Sequence, residues 1–239
     1  MERSKKPSWK MSGLRLSISL ALVVFLMFMV DIQSMQKALQ SMSIGAVVFV
    51  ILLCFVQMIL AGFRWFLIGK MTGPFLSASS VFQINFGAMF SNQILPTSIG
   101  GDLIRIELSR QRGLSLGRAT RTVVLDRTTG LASLMILLLA TSFIMKELFP
   151  PTWPVFTFQL IAAAFVAGSF LIIYYGAVIE KRFSRLIYYN WLRQLFVEAN
   201  LLGREGLTTG YAILISLIIH GIGALCLWYL ALEIGIQVN

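Results

Sequence analysis

Five stretches of this chain stay apolar for close to the length of a membrane crossing: about 13–30, 43–63, 128–145, 155–178 and 207–230. A span needs roughly 17–25 predominantly apolar residues. Backbone polar groups inside lipid must be satisfied within the segment, so such stretches fold as helices. Composition agrees with that reading. The 239 residues are 57% hydrophobic and only 13% charged, with a mean hydropathy of +0.82, against about 25% charged residues in an ordinary soluble domain. Disorder is excluded by the hydrophobicity, and a soluble nucleic-acid binder by the apolar runs that accompany the net charge of +10. Cys54 and Cys226 both fall inside apolar runs and read as small hydrophobes. The N-terminus is basic (Arg3, Lys5, Lys6, Lys10, Arg15), and the apolar run behind it ends in Val30-Asp31-Ile32-Gln33 with no small-residue cleavage site. It reads as an uncleaved first span, not a signal peptide.

A sixth stretch, about 77–95, is apolar enough to enter a membrane but carries Gln83, Asn85, Asn92 and Gln93. The arginines and lysines decide how it is threaded, because cytoplasmic loops collect them. With the N-terminus inside, the loop 31–42 is external and holds only Lys37, while Arg64 and Lys70 return inside. If 77–95 crossed completely, the cluster Arg105, Arg110, Arg112, Arg118, Arg121 and Arg127 would lie outside. If it enters and returns, eighteen of the twenty basic residues are cytoplasmic. The expected fold is therefore an all-α integral membrane protein: a polytopic helical bundle of about five full spans plus a re-entrant helical segment near 77–112, forming a single transmembrane domain over 1–239. The segment 185–200 has helical period, with Ile187, Tyr188, Trp191, Leu192, Leu195, Phe196 and Ala199 on one face. It reads as an amphipathic helix on the cytoplasmic surface, the alternative being an amphipathic connector that touches only protein. Pro150, Pro151, Trp153 and Pro154 read as a stiff external turn.

The chemistry-bearing stretch is Asn92 to Arg105. Pro96 interrupts helix, and Gly100-Gly101 permits an unusual backbone or a close approach. Asp102 stands where an N-cap belongs, before a helix that Gly113 ends. A helix N-terminus offers free N–H groups to a phosphate, and Asp102, Arg105, Ser109 and Arg112 recur on one side of that helix. Two readings stand: a phosphate site, or a capped helix whose arginines only enforce topology. Asp126-Arg127, at the inner mouth of the third span, faces either a cavity or the interface, with Asp126 as local counter-charge to a snorkelling Arg127. Arg64 beside Trp65 reads as an interfacial anchor. His220, the one histidine, reads as an interhelical hydrogen-bond partner, Gln57 and Gln159 as interhelical glue, and Ala164/Gly168 as a close-packing pair. No catalytic constellation, metal-ligand set or nucleotide-binding glycine motif is visible, so no catalytic residue, metal or cofactor is expected.

The ordered series Leu95-Pro96-Thr-Ser-Ile-Gly100-Gly101-Asp102-Leu-Ile-Arg105, Arg112-Gly113, Ala119, Val124-Leu125-Asp126-Arg127 and Gly130-Leu131 resembles the flippase-like transmembrane domain of lysylphosphatidylglycerol synthases. The resemblance implies a bundle with re-entrant helices that moves phospholipid or lipid-linked headgroups between leaflets. Carried over by position, Pro96, Gly100, Gly101, Asp102, Arg105, Asp126 and Arg127 are the matched motif residues. Full synthases add a soluble aminoacyl-transferring domain, and family members continue into a second Pro and Gly-Gly segment. The chain therefore reads as a shortened, stand-alone member.

The functional expectation is a lipid translocator of the cell membrane with a cytoplasmic N-terminus. Its anionic headgroup would be met by Gly100, Gly101, Asp102, Arg105, Arg112, Asp126 and Arg127, with Pro96 shaping the re-entrant turn. Two alternatives stay open. One is a membrane subunit of a lipid-headgroup transferase using Asp102 or Asp126 as base; the other is a non-catalytic assembly partner. The expected partners are membrane phospholipid and, in the alternatives, a second copy, a partner membrane chain or a soluble transferase. Nucleic acid is not expected.

Overall fold

Hydropathy places the lipid-embedded helices, but the polar turns at their ends decide where the helices begin. The computed structural model describes residue 25 and residues 31–94, 100–144, 154–182 and 189–236. All but Phe25 of the first expected span lies outside them, as do Pro96, Pro150, Pro151, Trp153, Ile187 and Tyr188. The described residues form eight helices and no strand: α1 (Ile32–Ser41), α2 (Ile44–Met71), α3 (Ala78–Ile94), α4 (Gly100–Gln111), α5 (Leu116–Ile144), α6 (Val155–Arg182), α7 (Asn190–Arg204) and α8 (Gly206–Glu233). Among them, α2, α5, α6 and α8 are long and apolar enough to cross a membrane. Their large apolar side chains are extensively exposed, Phe55, Ile59, Leu171 and Leu214 among them. In water this surface would drive association; in lipid it is the ordinary exterior. The chain is an all-α polytopic membrane bundle.

Two expectations about boundaries change. The stretch 31–42, expected as a loop, contains α1, because Ile32, Met35 and Leu39 recur at helical spacing. The third span, expected from about 128, belongs to a helix that starts at Leu116. Its polar first turns are buried against other helices, so hydropathy alone misses them.

The chain divides into two compact units, residues 51–225 and residues 1–50 with 226–239. In the second of these, the Ser43 backbone N–H donates to Glu233 Oε2 at 3.3 Å, and Phe49 meets the Tyr229 ring edge-on, centroids 5.3 Å apart. In the first, α8 runs antiparallel to α2. Gln57 donates to the Ile219 carbonyl at 2.8 Å, Arg64 to Ser216 at 2.9 Å, and Thr209 meets Met71 near the end of α2.

Helices α3 and α4 form an antiparallel hairpin. At one end the Gly101 N–H donates to Asn92 Oδ1 at 2.6 Å; at the other, Arg112 donates to the Ser80 carbonyl at 2.6 Å and to Gln83 Oε1 at 2.9 Å. The hairpin leaves and returns at the end where α2 finishes and α5 begins: Leu76, Val81, Val123, Phe75 and Leu114 share one core cluster there, and Gly73 lies against Arg118. This is the geometry a re-entrant segment requires. Helix α4 stops as the sequence predicts. Gly113 takes φ +100°, the Gly113 N–H reaches the Arg110 carbonyl and the Leu114 N–H reaches the Ser109 carbonyl. These two bonds satisfy the last turn.

Helix α7 also folds back, antiparallel along the final turns of α6. Arg193 pairs with Glu180, Gly176 lies against the Phe196 carbonyl, and Asn200 donates to the carbonyls of Ile173 and Tyr174 at 3.1 and 2.8 Å. Ala199, Asn200 and Leu202 are buried, whereas Trp191 and Val197 stay exposed.

Candidate functional site

Helix α5 delivers Asp126 into the interior of the 51–225 unit, where it is 1% exposed. A lone carboxylate there would be very costly. Two guanidinium groups answer it: Arg64 Nε donates to Oδ1 at 2.8 Å, and Arg105 Nη2 to Oδ2 at 2.9 Å. Arg64 also holds Ser216 on α8, so one carboxylate ties α2, α4, α5 and α8 together. Arg64 is thus a buried structural cation, 7% exposed, and not an interfacial anchor. Its room comes from Gly130: a Cβ there would stand 3.0 Å from Arg64 Nη1. His220 Nε2 lies 3.0 Å from the Gly130 carbonyl, which makes that nitrogen the donor and bears out the interhelical reading. Arg105 stacks on Trp65, its Cζ 4.1 Å from the ring centroid, a favourable contact for a desolvated cation.

Arg127 takes a different path. Successive helical residues diverge by about 100°, so it leaves Asp126 behind and reaches Asp102 at the start of α4. Nε and Nη2 make contacts of 2.6–3.0 Å with both carboxylate oxygens. Its side chain is 54% exposed, that of Asp102 19%. Asp102 has a second cation in reserve, Arg105 Nη1 at 3.6 Å. The cluster as a whole sets three guanidinium groups (Arg64, Arg105, Arg127) against two carboxylates (Asp102, Asp126) and so carries one surplus positive charge.

The Asp102–Arg127 pair stands in the wall of a cleft of about 670 Å³ between α4, α5 and α6. The rest of its wall is nearly all apolar: Leu103, Ile106, Val124, Leu131, Phe165 and Ile172 among others. Ala164 and Gly168 line it too, and a Cβ at Gly168 would meet nothing within 4 Å. The pair expected to bring helices close instead leaves space. A smaller void of about 60 Å³ shares Thr128, Ser169 and Ile172 with the cleft and continues towards α7 and α8.

The remaining sequence candidates separate. Gly100 and Gly101 are buried with no positive φ. A Cβ on Gly101 would stand 2.7 Å from the Ala88 carbonyl oxygen, so the glycine serves close approach of α3 and α4. The Gly101 N–H already has Asn92 as acceptor, which takes one of the donors expected to meet a phosphate. Asp102 is the third residue of α4 and not its cap. Arg112 clamps the far end of the hairpin, about 15 Å of helix from Asp102. Pro96 lies outside the described residues. Gln57 bridges α2 to α8 as expected, and Gln159 bridges α6 to Ser142 on α5 at 3.2 Å. Sequence reasoning missed the interior role of Arg64, its partner Ser216, the contact of Asn92 with Gly101 and the Arg121–Glu198 pair at 2.7 Å. For Arg64 a signal existed: an ionisable residue within an apolar helix calls for an interior partner.

The sequence pattern of the family described as the lysylphosphatidylglycerol synthase TM region matches residues 14–239. Neither the curated proteins nor the solved structures hold a match to the chain.

Proposed function

We propose that this chain, which belongs to the lysylphosphatidylglycerol synthase TM-region family, moves anionic phospholipid or lipid-linked headgroups between leaflets and receives their phosphate at Arg127. One observation carries the reading: a half-exposed arginine in the wall of an otherwise nearly apolar, laterally open cleft. A guanidinium fork binds a phosphodiester as it binds a carboxylate, through two parallel donors. On arrival of the phosphate, Arg127 exchanges Asp102 for the new anion, and Asp102 keeps Arg105. The surplus charge of the cluster equals the single negative charge of a phosphodiester, so the occupied site is neutral, which matters where the dielectric is low. Arg64, Asp126 and Arg105 serve as the fixed frame behind the exchange. In this reading the basic end of the bundle faces the cytoplasm of a cell-membrane protein. The transferase alternative receives less support, because the carboxylates of Asp102 and Asp126 are both engaged by guanidinium groups.

Leaflet exchange of a fluorescent anionic phospholipid in proteoliposomes tests this. A charge-assisted contact is worth about 1.5–3 kcal/mol, so Arg127→Gln is expected to slow exchange roughly ten- to a hundredfold. Equal rates for wild type and Arg127→Gln, or no exchange by wild type, would overturn the reading.

A further inference from the structure

The cleft is far larger than a headgroup contact needs. Its wall holds one ion pair, Asp102–Arg127, and is otherwise nearly all hydrocarbon, around a volume of about 670 Å³, within the range of roughly 300–1,000 Å³ of ordinary ligand sites. Leu103 and Leu131 on its walls are 60% and 42% exposed, so it opens sideways. On α6 the wall is cut back to Ala164 and Gly168. Small residues at that spacing usually bring a second helix into contact; here a Cβ at Gly168 would meet none of the described residues within 4 Å.

We infer that this slot holds one fatty acyl chain of the same phospholipid whose phosphate meets Arg127, so that the lipid is gripped at two points. The inference rests on the proposed headgroup role of Arg127. The occupant follows from the charge in the slot's wall. A lipid chain brings its own phosphodiester to a cluster with one unmatched positive charge. A helix from a second copy would come from a chain with twice as many basic as acidic residues, and would have to supply a carboxylate at that depth. An acyl chain also needs no hydrogen bonds, which suits a wall whose Thr128 hydroxyl is already spent on the Val124 carbonyl. The slot holds the chain while the headgroup crosses, so headgroup and chain travel as one ligand.

The test uses the full chain in proteoliposomes with two photoactivatable phospholipids, phosphatidylglycerol and phosphatidylcholine, each carrying the same diazirine acyl chain, and maps labelled peptides by mass spectrometry. Labelling is expected to concentrate on 164–172 and around Leu131, above the exposed lipid-facing positions Phe158 and Leu160 of the same helix. Gly168→Leu and, separately, Ala164→Leu are expected to reduce that labelling at least fivefold for both lipids; the open space at Gly168 lets the first fold normally. Arg127→Gln is expected to slow leaflet exchange of both lipids while chain labelling persists, so failure of the slot and failure of the headgroup reading give different patterns. Uniform labelling along α6, unchanged labelling in both leucine variants, or efficient disulfide cross-linking of Gly168→Cys between copies would each overturn the acyl-chain slot.

Discussion

Consecutive residues on a helix point about 100° apart, and that angle gives Asp126 and Arg127 opposite environments. Asp126 turns inward and is shared by Arg64 and Arg105. Arg127 turns towards the cleft and Asp102. The two ion pairs should therefore answer substitution very differently. Asp126→Asn leaves two buried cations facing a neutral amide. Breaking a buried pair costs about 3–5 kcal/mol, so this variant is expected to lose most of its thermal stability in detergent, measured by the unfolding midpoint. In Asp102→Asn, Arg127 can turn to solvent, and a largely exposed pair is worth about 0.2–1 kcal/mol. Its unfolding midpoint should stay close to wild type. Comparable destabilisation by both would contradict the division between frame and exchangeable pair.

Among the helices, glycines separate contact from vacancy. Gly203 of α7 lies so close to α6 that a Cβ would stand 2.5 Å from the Ile173 carbonyl oxygen, and Gly176 of α6 meets the Phe196 carbonyl. These are backbone contacts that cannot move aside. Gly203→Ala is expected to destabilise by about 1–3 kcal/mol, the usual cost of overpacking. Gly168→Ala adds a methyl to open space and gains helix propensity of up to about 1 kcal/mol, so it should be neutral or stabilising. Thermal unfolding of the two variants side by side checks the contrast. The same α6–α7 contact shows why the amphipathic pattern of 190–204 does not by itself place a helix on a membrane surface: protein takes Ala199 and Leu202, and only the side bearing Trp191 and Val197 stays available for headgroups.

Across the 51–225 unit, the ends of the helices sort by charge. Lys70, Arg110, Arg118 and Lys181 stand at the end where α2 and α6 finish and α5 begins, and the hairpin of α3 and α4 returns to it. Ile144 and Phe156 stand at the opposite ends of α5 and α6. A membrane-impermeant thiol reagent added outside intact cells is expected to label Ile144→Cys and Phe156→Cys, and to spare Lys70→Cys, Arg110→Cys and Lys181→Cys. Labelling of Arg110→Cys together with Ile144→Cys would mean that the α3–α4 segment crosses the membrane completely.

Much of this arrangement was legible in the chain alone, because its causes are local. Apolar runs placed α2, α5, α6 and α8, Gly113 ended α4, and the distribution of arginines predicted the turning back seen in the α3–α4 hairpin. Interhelical roles for Gln57, Gln159 and His220 followed from polar groups having few other options in lipid. What only the tertiary structure decided was partnership. Arg64 and Asp126 are separated by 62 positions and Arg121 and Glu198 by 77, and no periodicity relates residues on different helices. Ala164 and Gly168 make the same point from the other side: small residues permit a close approach, but only the packing of neighbouring helices determines whether the space is filled by protein or left as a cleft.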